Sequence, residues 1–465
     1  MKKLFMGLTI LDMDNKKELF ETMPLNKALL KLVIPNIVGS LVMILYNLAD
    51  TYFVGLLNDP VQTSAVTLIG VLLLLFNAVN NLFGVGCSSL MSRFLGAKDE
   101  ESARKASATG FYFALFSSVV FMAFSFVFKQ QILSIVGADE FTHDACYRYM
   151  FWTVNLGAIP AIMNVVMGYM VKSEGDAFRA SLGTVSGCIL NIILDPFFVL
   201  PQFLGLGVEG AGLATFISNC FAFVYFLQLI LIRKRGKTIV SLDIRKITLS
   251  RSILGGICVV GIPASIQNIL NVTGQTILNN FASGYGPAAI AGIGIAYRLS
   301  NICFGLVMGT SQGVMPLVSY NYASGNIKRM RDAVNKTLKA GISALSVMAV
   351  FYFVFSEFFV SLFIDTEEVI QIGGVILKGF GLALPFIGAD FIGVGVFQAT
   401  GYGKMSLFFA IARKIILEIP FLIIFNKIWP LYGLGYAQLA AEIILAAVSS
   451  FVLKHLFAKW ENQAA

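Results

Sequence analysis

Apolar segments long enough to cross a bilayer recur twelve times along this chain of 465 residues, at about 28–57, 63–90, 107–128, 147–171, 180–204, 206–232, 252–281, 286–318, 338–364, 372–399, 405–426 and 432–457. Each crossing takes about 20 predominantly apolar residues, so twelve of them leave no room for a sizeable soluble domain. The composition agrees. The chain is 57% apolar and 13% charged, against about 45–50% and 25% in a soluble domain, with a mean hydropathy of +0.79. The segments lack the short alternating pattern of a membrane barrel, and helices are the remaining structures that satisfy their own backbone in lipid. The fold class is an all-α integral membrane protein. Disorder, a disulfide-stapled secreted scaffold and an ordinary cytosolic enzyme are excluded.

An even number of spans puts both termini on one side, and the basic residues say which. Of 34 lysines and arginines, 27 fall in, or within four residues of, the amino terminus, the even-to-odd loops and the carboxyl tail. Only Lys129, Arg148 and Lys427 fall at or beside the opposite ends, and Arg298, Lys378, Arg413 and Lys414 lie deeper within spans. By the positive-inside rule, both termini are expected in the cytoplasm of a multi-pass cell-membrane protein. Sidedness absorbs the net charge of +8, so no nucleic-acid partner is expected. Residues 1–27 read as a cytoplasmic leader, because no small-residue cleavage site follows the short apolar run from Leu4 to Leu11. The basic run Arg233-Lys234-Arg235-Gly236-Lys237 sits in the longest loop, 233–251, which reads as a linker, and 458–465 reads as a cytoplasmic tail.

That linker separates two halves that repeat. Ile34-Pro35 returns as Ile262-Pro263, Gly86 as Gly313, Gly175 as Gly401, and Pro196 as Pro420. The offset between partners is nearly constant over six spans, which indicates duplication. Because six is even, both halves enter from the same side, giving two pseudo-symmetric six-helix bundles, 28–232 and 252–457, about an axis along the membrane normal. Two such lobes enclose a midplane cleft that rocking exposes to either side alternately, the architecture of a secondary transporter. No Walker-type GxxxxGK[ST] supports an ATP-driven pump. An enzyme is not expected either: His143 and His455 lie far apart, and the six cysteines are scattered without a CxxC pair.

Ionisable residues inside spans cost at least about 2.5–3.5 kcal/mol each on insertion scales, so each needs a reason. Asn47 and Asp50 in span 1 are three apart, and Asn191 and Asp195 in span 5 are four apart, so each pair shares a helix face. Pro196 removes a backbone donor beside Asp195. Thr215 in span 6 adds a hydroxyl. At about 1.5 Å per residue, Asp50, Asp195 and Thr215 are expected at one depth, roughly 10–14 Å inside the outer boundary. Such a set of oxygens suits Na⁺. Equally, two close carboxylates in apolar surroundings suit a shared proton. The second lobe does not repeat it: Leu278 and Ile419 stand where Asp50 and Asp195 would. There Asp390 takes the position of Asn164, with Arg298 in span 8. Either the two pair and neutralise each other, or Asp390 serves a cationic substrate or second ion. Arg413 and Glu418, five apart in span 11, read as a structural polar pair.

Short stretches carried in order over residues 24–457 resemble the multidrug and toxic compound extrusion (MATE) family, closest to its DinF-like and MepA-like bacterial branch. They include Ile34-Pro35, the run Tyr46-Asn47-Leu48-Ala49-Asp50-Thr51, Ser92-Arg93-Phe94-Leu95-Gly96, Leu190 to Pro196, Gly210 to Thr215, Pro316 to Ala323, and Gln398-Ala399-Thr400-Gly401. The resemblance implies a V-shaped pair of bundles, functioning as a monomer without cofactor, that exports cationic or amphipathic small molecules in exchange for H⁺ or Na⁺. It also implies that Asp50, Asn191, Asp195 and Thr215 hold the coupling cation, the residues reached above by depth. Asn47, Asn164, Arg298 and Asp390 remain candidate substrate or accessory residues. Family members with a second-lobe site pair the span-10 acid with a glutamate in span 7, where this chain has Gln267, Asn268, Asn271 and Gln275 but no acid. The alternative transporter, a flippase for lipid-linked saccharides on the same superfamily architecture, calls for a strongly basic cleft, and few basic residues fall in these spans.

Overall fold

The computed structural model describes residues 13–232 and 238–464. Residues 1–12 of the expected leader and the basic run 233–237 lie outside the described residues. Ten helices are long and apolar enough to cross a membrane. An eleventh crossing is the pair His143–Leu156 and Ala158–Ser173, bent by 48°. The bend falls where a π-helical stretch, Phe151–Leu156, meets Gly157 and Pro160, both of which weaken the local ladder. The remaining crossing, Gly403–Ile411 continued by Ile419–Ile428, is interrupted by a π-helical stretch at Ala412–Glu418. Counting that broken segment with the ten and the bent pair, the described residues contain twelve spans, and no strand.

Most spans begin and end within a few residues of the sequence expectation. Span 9 does not. Expected at 338–364, it runs Ile327–Val354, because its first turns are too charged (Lys328, Arg329, Arg331, Asp332) to register as apolar. Phe355 then breaks it, with a separate helix at Ser356–Ser361. The break is a repeat feature: Phe128, the counterpart of Phe355 in the first lobe, ends span 3 with nearly the same backbone angles, φ −104° against −110°. Gly175 and Gly401 both turn with positive φ, +85° and +82°, a conformation that glycine adopts without strain. Helix also extends into the expected leader and tail. Met13–Glu21 is helical, and the last helix runs Gly433–Ala464 with Trp460 buried.

The two lobes meet at the end that carries the basic loops, here called the basic end. Gly86 of span 2 lies against Ile257 and Gly261 of span 7, and its counterpart Gly313 of span 8 lies against Val33 of span 1. At both positions a side chain would collide with the neighbouring helix, so small residues set the closeness of the lobes. Ser89 donates to the Gln398 carbonyl across the same seam at 2.6 Å. The helix Met13–Glu21 seals it further: Phe20 stacks on Tyr320, Glu21 accepts from the Tyr320 hydroxyl, and Arg329 donates to the Phe20 and Met23 carbonyls. On span 8, Gly313, Gly309 and Gly305 touch Val33, Ile37 and Ile44 of span 1 in turn, whereas Gly294 further along the same face meets open space. The lobes therefore splay apart toward the opposite end.

Candidate functional site

Spans 1, 5 and 6 bring the expected first-lobe quartet together. Asp50, Asn191, Asp195 and Thr215 are all buried. With its amide turned to match its neighbours, Asn191 donates to Asp195 Oδ2 at 2.9 Å and accepts from the Thr215 backbone N–H at 3.1 Å and hydroxyl at 3.3 Å. Tyr149 of span 4 donates to Asp50 Oδ2 at 3.4 Å. Tyr46, one turn before Asp50, lies among Asp50, Asp195 and Thr215. Neither tyrosine was singled out from the sequence. Tyr46 carried an i, i+4 signal, while Tyr149 comes from another span and left none. Asp50 Oδ1 and Asp195 Oδ1 have no hydrogen-bond partner among the described residues, which leaves one carboxylate oxygen on each free for a ligand.

The quartet sits nearer the helix ends than expected. Span 1 ends at Gly55 and span 5 at Val199, because Leu200 is already extended and 201–204 form turns. Counting from those ends and from Val208, the depth is about 6–11 Å at 1.5 Å per residue.

On the other side of this wall lies a cavity of about 360 Å³ lined by Tyr46, Asn47, Asn164, Asn191 and Thr215 of the first lobe and by Asn268, Met308 and Gln312 of the second. Asn47 faces it while Asp50, three residues on, points behind it. Asn164 is held by hydrogen bonds from its amide to the Pro160 carbonyl at 2.7 Å and to Asn219 Oδ1 at 2.9 Å. Asp50 and Asp195 do not line the cavity; Asn191, Thr215 and Tyr46 stand between.

In the second lobe two expectations fail. Arg298 does not pair with Asp390. It is exposed, one turn from Gly294 on the stripe that faces span 1, where the lobes have parted. Asp390 is fully buried on another face and pairs with Arg413 of span 11, which also pairs with Glu442 of span 12 at 3.1 Å. The guanidinium lies over the Phe391 ring, 3.9 Å from its centroid. Nor is Arg413 the partner of Glu418. That carboxylate is held by Lys414, four residues earlier on its own helix, at 2.6 Å. A small cavity of about 90 Å³ beside this cluster is lined by Arg413, Lys414, Glu418 and Glu442 but not by Asp390. The described residues contain no cluster of three or more His, Cys, Asp or Glu suited to a metal.

Known proteins give this arrangement a family. The profile described as MatE matches the chain twice, at residues 35–197 and 263–424, so each lobe carries one copy of the repeat. The multidrug export protein MepA of Staphylococcus aureus (strain MRSA252) is 30% identical over 440 residues, covering 95% of this chain and 96% of its own. The protein of the same name from Staphylococcus haemolyticus (strain JCSC1435) is 30% identical over 444 residues, with the same coverage. Among solved structures, a MATE in the straight conformation superposes with a TM-score of 0.90 at 25% identity, over 96% of this chain and 99% of that one. An outward-facing multidrug resistance MATE transporter superposes with a TM-score of 0.88 at 25% identity, over 94% and 97%. With its profile matched in both lobes and its fold shared end to end, the chain belongs to the MatE family.

Proposed function

We propose that this protein is a secondary active exporter of cationic or amphipathic small molecules, driven by H⁺ or Na⁺ moving inward, with the basic end in the cytoplasm. One observation carries the reading. A buried carboxylate pair, each member with an unpartnered oxygen, stands directly behind the polar wall of a cavity between two lobes. An ion or proton arriving at Asp50 and Asp195 neutralises charge that otherwise sits uncompensated in a low-dielectric interior. It also ties spans 1, 5 and 6 together through Asn191 and Thr215, and the cavity shares that wall, so the occupied state and the substrate-loaded state compete for one set of helices. Closure at the basic end with splaying at the other is the outward-open half of an alternating cycle. The multidrug export of the MepA relatives fits the cavity, whose mixed amide, methionine and aromatic lining suits varied amphiphiles. A flippase for lipid-linked saccharides is disfavoured, since this lining offers a single basic side chain for a pyrophosphate.

The test is dye efflux from proteoliposomes under an imposed Na⁺ or H⁺ gradient, applied separately. Efflux driven by one gradient and not by the other assigns the ion. Efflux indifferent to both rejects antiport.

A further inference from the structure

Among the described residues, the one charged side chain on the wall of the cavity between the lobes is a lysine. Lys172 closes span 4, and a sidedness count places it among the cytoplasmic loop lysines. Its helix, Ala158–Ser173, instead carries it to the cavity wall with Tyr169 and Gln312. Its partner among the described residues is the Tyr169 ring, 5.2 Å from the ammonium to the centroid. It makes no ion pair with any described residue. The nearby acids are engaged elsewhere: Glu174 accepts from Thr238 and from the backbone of Ile239 and Val240, and Asp176 pairs with Arg179 at 2.9 Å. An ammonium with three donors, half-buried among amides and an aromatic ring, is an incomplete site for an anion.

The rest of the cavity sets the shape of that anion's carrier. The wall on span 5 runs from Ser181 to Asn191, about 15 Å of helix at 1.5 Å per residue. It ends on the screen of Asn191 and Thr215 in front of the two buried carboxylates. The cavity therefore has a positive pole at its basic end, a negative field at the other, and Tyr169 and Phe304 between.

We infer that Lys172 is a substrate-specificity residue, and that it anchors the carboxylate of zwitterionic aromatic substrates whose cationic end lies toward Asp50 and Asp195. This rests on the export reading above but concerns which amphiphiles are favoured. Simple cations need only the negative end of the cavity, whereas zwitterions use both.

Tetramethylrhodamine and its methyl ester form a matched pair of probes, differing by one carboxylate. Their binding to the purified full-length protein in detergent is read by fluorescence anisotropy, independently of transport. Lys172→Gln is expected to weaken the acid by about tenfold or more, the loss of one charge-assisted hydrogen bond, and to change the ester by less than about twofold. Lys172→Arg is expected to restore the acid, and circular dichroism with size-exclusion profiles checks that each variant is folded. Equal loss of both dyes in Lys172→Gln, or no loss of either, overturns the inference. Wild-type protein that binds the ester but not the acid overturns this inference alone, whereas wild-type protein that binds neither refutes the cavity as a substrate site.

Discussion

The two lobes descend from one repeat and handle buried acid in opposite ways. In the first, Asp50 and Asp195 lie near each other with polar but uncharged neighbours, and one oxygen of each is unpartnered. In the second, Asp390 and Glu442 close on Arg413, and Glu418 closes on Lys414. The second lobe has built its cation into the chain. On the reading proposed above, the Arg413 guanidinium takes up one of the two negative charges of Asp390 and Glu442 without exchange with either compartment. On the same reading, the carboxylate pair of the first lobe takes its cation from outside. Pseudo-symmetry of backbone therefore coexists with asymmetry of buried charge, and the difference lies in a few side chains.

The largest effect that separates the lobes is expected from Asp50→Asn and Asp195→Asn. Either removes one of the two free carboxylates, and each should abolish gradient-driven efflux in proteoliposomes while substrate exchange without a gradient persists. Next comes Arg413→Met. It strands Asp390 and Glu442 in the interior and should cost about 3–5 kcal/mol, as when one partner of a buried ion pair is removed. A large fall in thermal stability in detergent is the measurement. Adding Asp390→Asn and Glu442→Gln to Arg413→Met should recover most of it, and failure to recover would mean that the cluster is not chiefly electrostatic.

The smallest effect concerns the starts of spans 2 and 8, which are equivalent in the repeat and differ in their caps. Asp59 caps Pro60–Asn80 by accepting from the Val61 N–H at 2.9 Å. The Gln62 amide, and then that N–H, hold its carboxyl below the ordinary range. Gly286, at the same place before Pro287, has no side chain to offer. Asp59→Ala should cost about 1 kcal/mol, and Gly286→Ala should be harmful for a different reason, its φ of +95°. Because the Asp59 carboxyl is more acidic when folded, its contribution is present above the unfolded value of about 3.9 and is lost as pH falls through the folded one. A melting series over that acid range, comparing wild type with Asp59→Ala, checks the sign.

The helices were more legible in the sequence than their partners. Hydropathy alone places nearly every span, because a bilayer-length apolar run leaves few alternatives, and it fails at span 9, where charged turns extend the helix beyond the apolar run. The first-lobe quartet was legible because Asn191 and Asp195 are a local i, i+4 pair and Asp50 and Thr215 fall at a similar depth. The same spacing argument failed for Asn47, which faces the cavity while Asp50 points behind it. The partner of Asp390 was not. It lies on span 11, in a π-helical stretch whose facing does not follow the usual period, and Glu442 completes the cluster from span 12. Lys172 was hidden by its place at a helix end, where counting charge by loop says nothing about the direction in which the side chain points.

Coupling through the first lobe alone is tested most directly by gradient-driven efflux in proteoliposomes from Asp195→Asn and Asp390→Asn side by side, with gradient-free substrate exchange as the control for folding. The expected result is that Asp195→Asn retains exchange but loses gradient-driven efflux, while Asp390→Asn retains both. Loss of driven efflux in Asp390→Asn, with its retention in Asp195→Asn, would contradict this division of labour between the lobes.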